Sequence, residues 1–338
     1  MLKDLDRILI IQTAFIGDVV LATPLLEQLK SSYPEARIDF LLRKGNENLL
    51  ENDDRVNDIL IWNKKRGKNR ELFRLIRKIR KRKYDLLINV QRFASMGLLT
   101  WFSGAKHTVG FDKNPFSFSY AEKVTHQLDG THEVERNLSL LKSISETPAN
   151  CRPSLQLSQK LTDKVAKYKQ QPYLTIAATS VWFTKQFPPE KWIDFLKNTS
   201  FSGNIYLLGG PSDREASESI RSASSNSCVT NLCGELSLME SVALMRDARM
   251  NYVNDSAPLH FASAVNAPTT AIFCSTVPKF GFGPLSDDSV VIETDEELDC
   301  RPCGLHGYDS CPRGHFKCAS TIHVERLEKR IFQSTTSK

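Results

Sequence analysis

Three groups of residues in this chain have the types and the spacing to do chemistry. The first is Asp18, which follows Gly17 just after a short aliphatic run, Arg7-Ile8-Leu9-Ile10-Ile11, and a small-residue turn, Thr13-Ala14-Phe15-Ile16-Gly17. A carboxylate at the end of a buried strand and beside a helix N-terminus can take a proton from a substrate hydroxyl, or it can cap the helix; position alone leaves both roles open. The turn holds one glycine and matches neither G-x-G-x-x-G nor G-x-x-x-x-G-K-[ST]. That argues against a nicotinamide-dependent dehydrogenase and against a P-loop NTPase.

The second group lies in the other half of the chain. Thr179, Ser180 and Lys185 follow a strand-like run at 173–178, and two hydroxyls with a lysine acting as a point charge suit a phosphate. Asn254-Asp255-Ser256-Ala257-Pro258-Leu259-His260-Phe261-Ala262 follows another strand, with Ser256 placed as N-cap and Pro258 in the first turn. The N–H groups of such a helix start form an anion site. Asp255, just ahead of it, suits sugar hydroxyls better than phosphate, because two negative groups repel. His260 is read either as part of this site or as a helix-facing core histidine.

The third group is Cys300, Cys303, Cys311 and Cys318, with His306 and His315 among them. They could fold around one Zn²⁺ as a structural knuckle, although the spacing is not a standard finger spacing; reduced thiols in a tight loop are the other reading. The remaining cysteines, Cys151, Cys228, Cys233 and Cys274, are scattered.

These residues need a scaffold that places them. Aliphatic runs at 7–11, 38–42, 58–61 and 84–90 read as strands and alternate with helical spacing, including Leu72, Leu75, Ile76 and Ile79. Pro24 either restarts the first helix, with Thr23 as N-cap, or kinks it. After Glu146-Thr147-Pro148-Ala149-Asn150 a polar linker and a surface helix run to Pro172. A second alternation then begins, with strands at 173–178, 204–208, 228–230, 250–253 and 270–273. Buried-type strands alternating with helices imply two parallel α/β units, with ligand expected at the carboxyl ends of the strands, in the cleft between the halves.

Composition agrees with a folded, two-domain chain. The 338 residues are 41% apolar and 25% charged, which excludes a disordered, collagen-like or polytopic membrane protein. The four-residue aliphatic run at 8–11 is too short for a signal segment or a membrane span, so a cytoplasmic location is expected. Net charge is +6, yet residues 64–83 carry twelve Lys or Arg against one acid, Glu71, so the rest of the chain is mildly acidic. One basic strip on such a body points to a local anion or an anionic membrane surface, or else to a solvated helix face.

In these residues and their order, the chain resembles the ADP-heptose:lipopolysaccharide heptosyltransferases, glycosyltransferase family 9. Arg7 through Pro24 is similar to the family's R-I-L-I-x5-I-G-D-x5-P opening, and Ser103-Gly104-Ala105-Lys106 with Val109-Gly110-Phe111 to its mid-domain signature. Trp182 to Trp192 is similar to W-x-x-K-x-x-P-x-x-W, Leu208-Gly209-Gly210 to a G-G loop, and Asn254 to Ala262 to N-D-S-G-P-x-H-x-A. Cys300 to Cys318 looks like the cysteine segment of the second-heptose branch.

The resemblance implies a GT-B fold of two Rossmann-like domains facing across a cleft. An acceptor domain would span 1–155 and a nucleotide-sugar domain 156–321, with a helix within 322–338 crossing back to the first. It implies inverting, metal-independent transfer of heptose from ADP-heptose to the lipopolysaccharide inner core at the cytoplasmic face of the membrane. Asp18 would then be the general base, Thr179, Ser180 and Lys185 would hold the diphosphate, Asp255 the sugar, and Ser256, Ala257 and His260 would surround the phosphates. Ala257 stands where many members have glycine. The strip 64–83 would face a phosphorylated, membrane-embedded acceptor. Another nucleotide sugar or acceptor on the same fold, and a non-enzymatic anion-binding protein, are the competing readings.

Overall fold

The aliphatic runs become the central strands of two separate sheets. The computed structural model describes residues 2, 5–145 and 152–333, so Asp4, Cys151 and the expected linker at 146–150 lie outside the described residues. The chain forms two compact units, Met1–Gln156 and Leu157–Lys338.

The first unit contains β1 (Arg7–Ile11), β2 (Arg37–Arg43), β3 (Asp58–Trp62), β4 (Leu86–Asn89), β5 (His107–Phe111) and β6 (Glu122–Val124). All pair in parallel, in the order β3-β2-β1-β4-β5-β6. The second unit repeats the plan with β7 (Tyr173–Ala177), β8 (Asn204–Leu207), β9 (Val229–Asn231), β10 (Met250–Asn254), β11 (Thr269–Phe273) and β12 (Ser289–Glu293), ordered β12-β11-β10-β7-β8-β9. In each sheet the order reverses beside the first strand of the unit. That is between β1 and β4 in one and between β7 and β10 in the other, where an α/β sheet opens a crevice at its carboxyl edge.

Strands such as Ile8-Leu9-Ile10-Ile11 are buried on both faces, which a parallel sheet covered by helices requires. Helix Lys68–Arg82 lays Leu72, Leu75 and Ile79 on the core and leaves Ile76 partly covered. Every basic residue of the strip except Arg82 is exposed. Arg82 instead ties the helix end to the sheet, donating to Asp39 at 2.5 Å and also to Asp58. Pro24 does restart the helix: Ile16–Leu21 ends, Ala22 rather than Thr23 is the N-cap, and Pro24 sits in the first turn of Thr23–Ser32. The Thr23 hydroxyl donates back to the Val20 carbonyl at 2.7 Å, which is why it does not cap forward. In the second unit the terminal helix Glu325–Gln333 buries Leu327 and Ile331 in that unit's core, and the Leu327 carbonyl accepts from the Tyr252 hydroxyl at 2.8 Å.

Candidate functional site

At the switch point of the first sheet, the loops after β1 and β4 are held together by a side-chain bond from Gln91 to Gln12. Asp18 sits in the first turn of the following helix and its Oδ2 accepts the Phe15 N–H at 3.1 Å, so the capping role has its hydrogen bond. Its environment also suits a base. Burial, and then the nearby Glu133 carboxylate, push its pKa up to about 6, against the pull of the Phe15 N–H and the Arg92 guanidinium. A carboxyl that titrates there is ionised at neutral pH and basic enough to take a hydroxyl proton as the oxygen attacks. The positive field at this edge is also felt by His126, whose pKa is pushed down to about 4 by burial and then by Arg92 and Arg136.

At the switch point of the second sheet, β7 and β10 pair with Val253 opposite Ala177, which brings the loops carrying Lys185 and Asp255 side by side. Lys185 Nζ lies 2.6 Å from Asp255 Oδ2, with side chains only 14% and 7% exposed. The Thr276 hydroxyl donates to the same oxygen at 2.6 Å. From sequence, the lysine suits phosphate and the aspartate suits sugar; in the structure they are also each other's partner. An ammonium has three donors, so this contact leaves Lys185 able to meet a phosphate as well.

Asn254 organises the lysine loop. Wholly buried, it donates from Nδ2 to the carbonyls of Ala177 at 3.2 Å and Ala178 at 2.9 Å, and its Oδ1 accepts the Phe187 N–H at 2.9 Å. Thr179 and Ser180 lie partly buried on that loop, and the Ser180 carbonyl accepts from the Gln186 side chain at 2.7 Å. Ser256 is the N-cap of helix Ala257–Ala264, with Ala257 in the first turn. His260 is 6% exposed with its ring 6.4 Å from that of Phe282. Asn254→Ala should strand buried backbone groups at the end of β7 and in the loop after it, and lower stability by about 3 kcal/mol, read as a fall in the urea midpoint.

The cysteine segment packs against the lysine loop. Gly307 has φ +78°, and a Cβ there would lie 2.9 Å from Thr184 Oγ1 and 3.2 Å from Lys185 Cγ, so only glycine allows this approach. Tyr308 N–H donates to Thr184 Oγ1 at 2.8 Å, Ser275 donates to the same oxygen at 3.0 Å, and Cys303 N–H donates to the Ser275 carbonyl at 2.8 Å. Arg301 fixes the base of the segment on the carbonyls of Cys274 and Thr276, each at 2.8 Å. Cys300, Cys303, Cys311 and Cys318 are all free thiols. Burial, followed by the neighbouring thiols, pushes Cys318 up to about 12 and raises Cys303 as well. Among the described residues no group of three or more His, Cys, Asp or Glu is arranged to hold a metal ion. Ser275 and Thr276 carry no sequence signal of their own; only the pairing of β11 beside β10 brings them in, whereas Thr184 belongs to the hydroxyl-bearing loop that carries Lys185.

A family model described as glycosyltransferase family 9 (heptosyltransferase) matches residues 72–305. Lipopolysaccharide heptosyltransferase 3 of Escherichia coli is 29% identical over 285 residues, covering 78% of this chain and 82% of its own. Lipooligosaccharide heptosyltransferase 2 of Haemophilus ducreyi is 27% identical, covering 85% and 88%. Among solved structures, Escherichia coli ADP-heptose lipopolysaccharide heptosyltransferase II aligns over 97% of this chain and 99% of its own with a TM-score of 0.78 at 23% identity.

Proposed function

Since the chain belongs to glycosyltransferase family 9, the heptosyltransferases, we propose that it transfers heptose from ADP-heptose to the inner core of lipopolysaccharide, with inversion and without a divalent metal. Its enzyme class is that of a glycosyltransferase, and its fold is α/β with two Rossmann-like units, as in the GT-B heptosyltransferases. The donor, the acceptor and the mechanism are our reading.

In that reaction Asp18 takes the proton of an acceptor hydroxyl as its oxygen attacks the anomeric carbon of the donor. The bond from that carbon to the diphosphate oxygen breaks on the opposite face, so one displacement inverts the centre. The electron pair leaves with ADP. Lys185 and the N–H groups at the start of helix Ala257–Ala264 meet the charge that develops there, with Thr179, Ser180 and His260 beside the phosphates and Asp255 on the sugar hydroxyls. A fixed ammonium and helix amides supply the stabilisation that a divalent ion would otherwise provide. The observation that carries the reading is the contact of Lys185 with Asp255 beside that helix start, since it puts cationic donors and a sugar-binding carboxylate in one place.

The acceptor is anchored in a membrane, so we place the enzyme on the inner face of the cytoplasmic membrane, touching it through the strip 64–83. Among the described residues no helix is long and apolar enough to cross a membrane. The donor can be tested by thermal shift. ADP-heptose at a hundred times its Kd should stabilise the protein by about 2.7 kcal/mol, while UDP- and GDP-sugars should leave the melting temperature unchanged. A shift with one of those sugars alone would reassign the donor.

A further inference from the structure

Helix Lys68–Arg82 packs beside helix Ala94–Trp101, with Ile76, Leu98 and Ala105 partly buried against the same core. On the solvent side of this pair the chain leaves large rings uncovered. Trp101 is 48% exposed, Phe102 44% and Phe118 65%. They form one cluster: the Trp101 ring centroid lies 4.9 Å from that of Phe102, 5.9 Å from Phe116 and 5.3 Å from Phe118. On the basic helix, Phe73, Arg77 and Arg80 are spaced by four and three residues and so share a face, and Phe73 is 68% exposed. Arg80 joins this face to the cluster by donating to the Phe102 carbonyl at 3.2 Å.

A solvated helix face accounts for exposed Lys and Arg, but not for four clustered aromatic rings beside them. Water leaves such a patch unsatisfied, whereas the headgroup layer of an anionic bilayer accepts both parts at once: rings among the carbonyl and upper acyl groups, guanidinium and ammonium groups on the phosphates. Single-stranded nucleic acid also uses aromatic and basic groups, but it needs open ring faces for stacking. Here the rings face one another, with Trp101 edge-on to Phe118 and tilted on Phe102 and Phe116.

We propose that the Trp101, Phe102, Phe116 and Phe118 cluster, together with the Phe73, Arg77 and Arg80 face of the neighbouring helix, is the surface by which the first unit docks on an anionic membrane. The basic residues draw the unit to the bilayer and the rings hold it there. This rests on the reading that the acceptor is membrane-embedded. It adds that binding has a salt-resistant aromatic part besides the electrostatic one.

The test is co-sedimentation of the full chain with phosphatidylethanolamine vesicles, with and without phosphatidylglycerol, and no acceptor present. The wild-type protein should pellet only with the anionic vesicles. The double variant Trp101→Ser, Phe118→Ser and the double variant Arg77→Glu, Arg80→Glu should each bind at least about tenfold more weakly. Both should keep wild-type affinity for ADP, and the aromatic variant should keep wild-type transfer to a water-soluble acceptor fragment. Brominated acyl chains should quench part of the tryptophan fluorescence of the wild-type protein, and that part should vanish in Trp101→Phe. Failure of the wild-type protein to pellet overturns the proposal, as do unchanged binding by the aromatic variant and equal quenching in Trp101→Phe. Dimerisation or nucleic-acid binding lost in the same variants, with no vesicle binding, reassigns the surface. An error in the donor or acceptor leaves the vesicle results intact, and an error here leaves transfer to the soluble fragment intact, so the two failures can be told apart.

Discussion

Asp18→Asn is expected to lower the transfer rate by about a thousandfold while ADP binds as in the wild-type protein, because the substitution keeps the shape and the hydrogen bond from Phe15 but removes the base. The pH profile carries the same signature. With the Asp18 pKa near 6, the wild-type rate should fall tenfold per pH unit below that value, as the base becomes protonated, and level off above it. Stability should move the other way. A carboxyl raised from 3.8 to about 6 on folding binds its proton more tightly in the native state, so its contribution to stability declines as pH rises through that window and stays low at neutrality. Asp18→Asn is therefore expected to melt no lower than the wild-type protein at pH above 7, which separates loss of catalysis from loss of fold. A variant that melts lower at neutral pH and keeps its activity would restrict Asp18 to helix capping.

Lys185→Ala has the second large effect, and it has two parts. The ammonium is the nearest cation to a carboxylate that is 7% exposed, so its removal leaves Asp255 with the Thr276 hydroxyl but without its charge partner. Breaking such a pair from one side costs about 3 to 5 kcal/mol, seen as a lower melting temperature. The same loss weakens ADP binding and removes a donor to the leaving group, for a fall in kcat of about a hundredfold or more. The double variant Lys185→Ala, Asp255→Asn separates the parts. Neutralising the orphaned carboxylate should restore most of the stability, while ADP affinity and transfer stay low. Recovery of ADP binding in the double variant would show that the lysine only balances Asp255.

Much of this site was legible in the sequence because its residues follow strands that announce themselves. Ile8-Leu9-Ile10-Ile11 can only be a buried strand, and the turn after it carries Asp18; Met250 to Asn254 and the small residues after it mark the helix start at Ser256 in the same way. Three other strands, short or polar, were not legible, although the equally short β9 was read at 228–230. His107–Phe111 includes a glycine, Glu122–Val124 is a three-residue edge, and Ser289–Glu293 ends in charge, so β5, β6 and β12 emerge only from their pairing. The contacts that finish the site come from residues far apart in sequence. Asn254 reaches backbone groups at the end of β7 and in the loop after it, and Gly307 lets a segment more than a hundred residues downstream lie on Thr184 and Lys185. No local pattern encodes either contact. The Lys185 and Asp255 pairing is of the same kind: each residue was visible, and their contact follows only from β7 lying next to β10.

Heptose transfer itself is measured most directly by incubating the purified protein with ADP-heptose and a heptose-deficient lipopolysaccharide core in chelator, then weighing the product by mass spectrometry. The mechanism proposed here predicts that the core gains one heptose, ADP is released in equal amount, and Asp18→Asn yields neither. A core that stays unmodified with ADP-heptose but gains a residue from another nucleotide sugar, or transfer that stops when chelator is added, would contradict it.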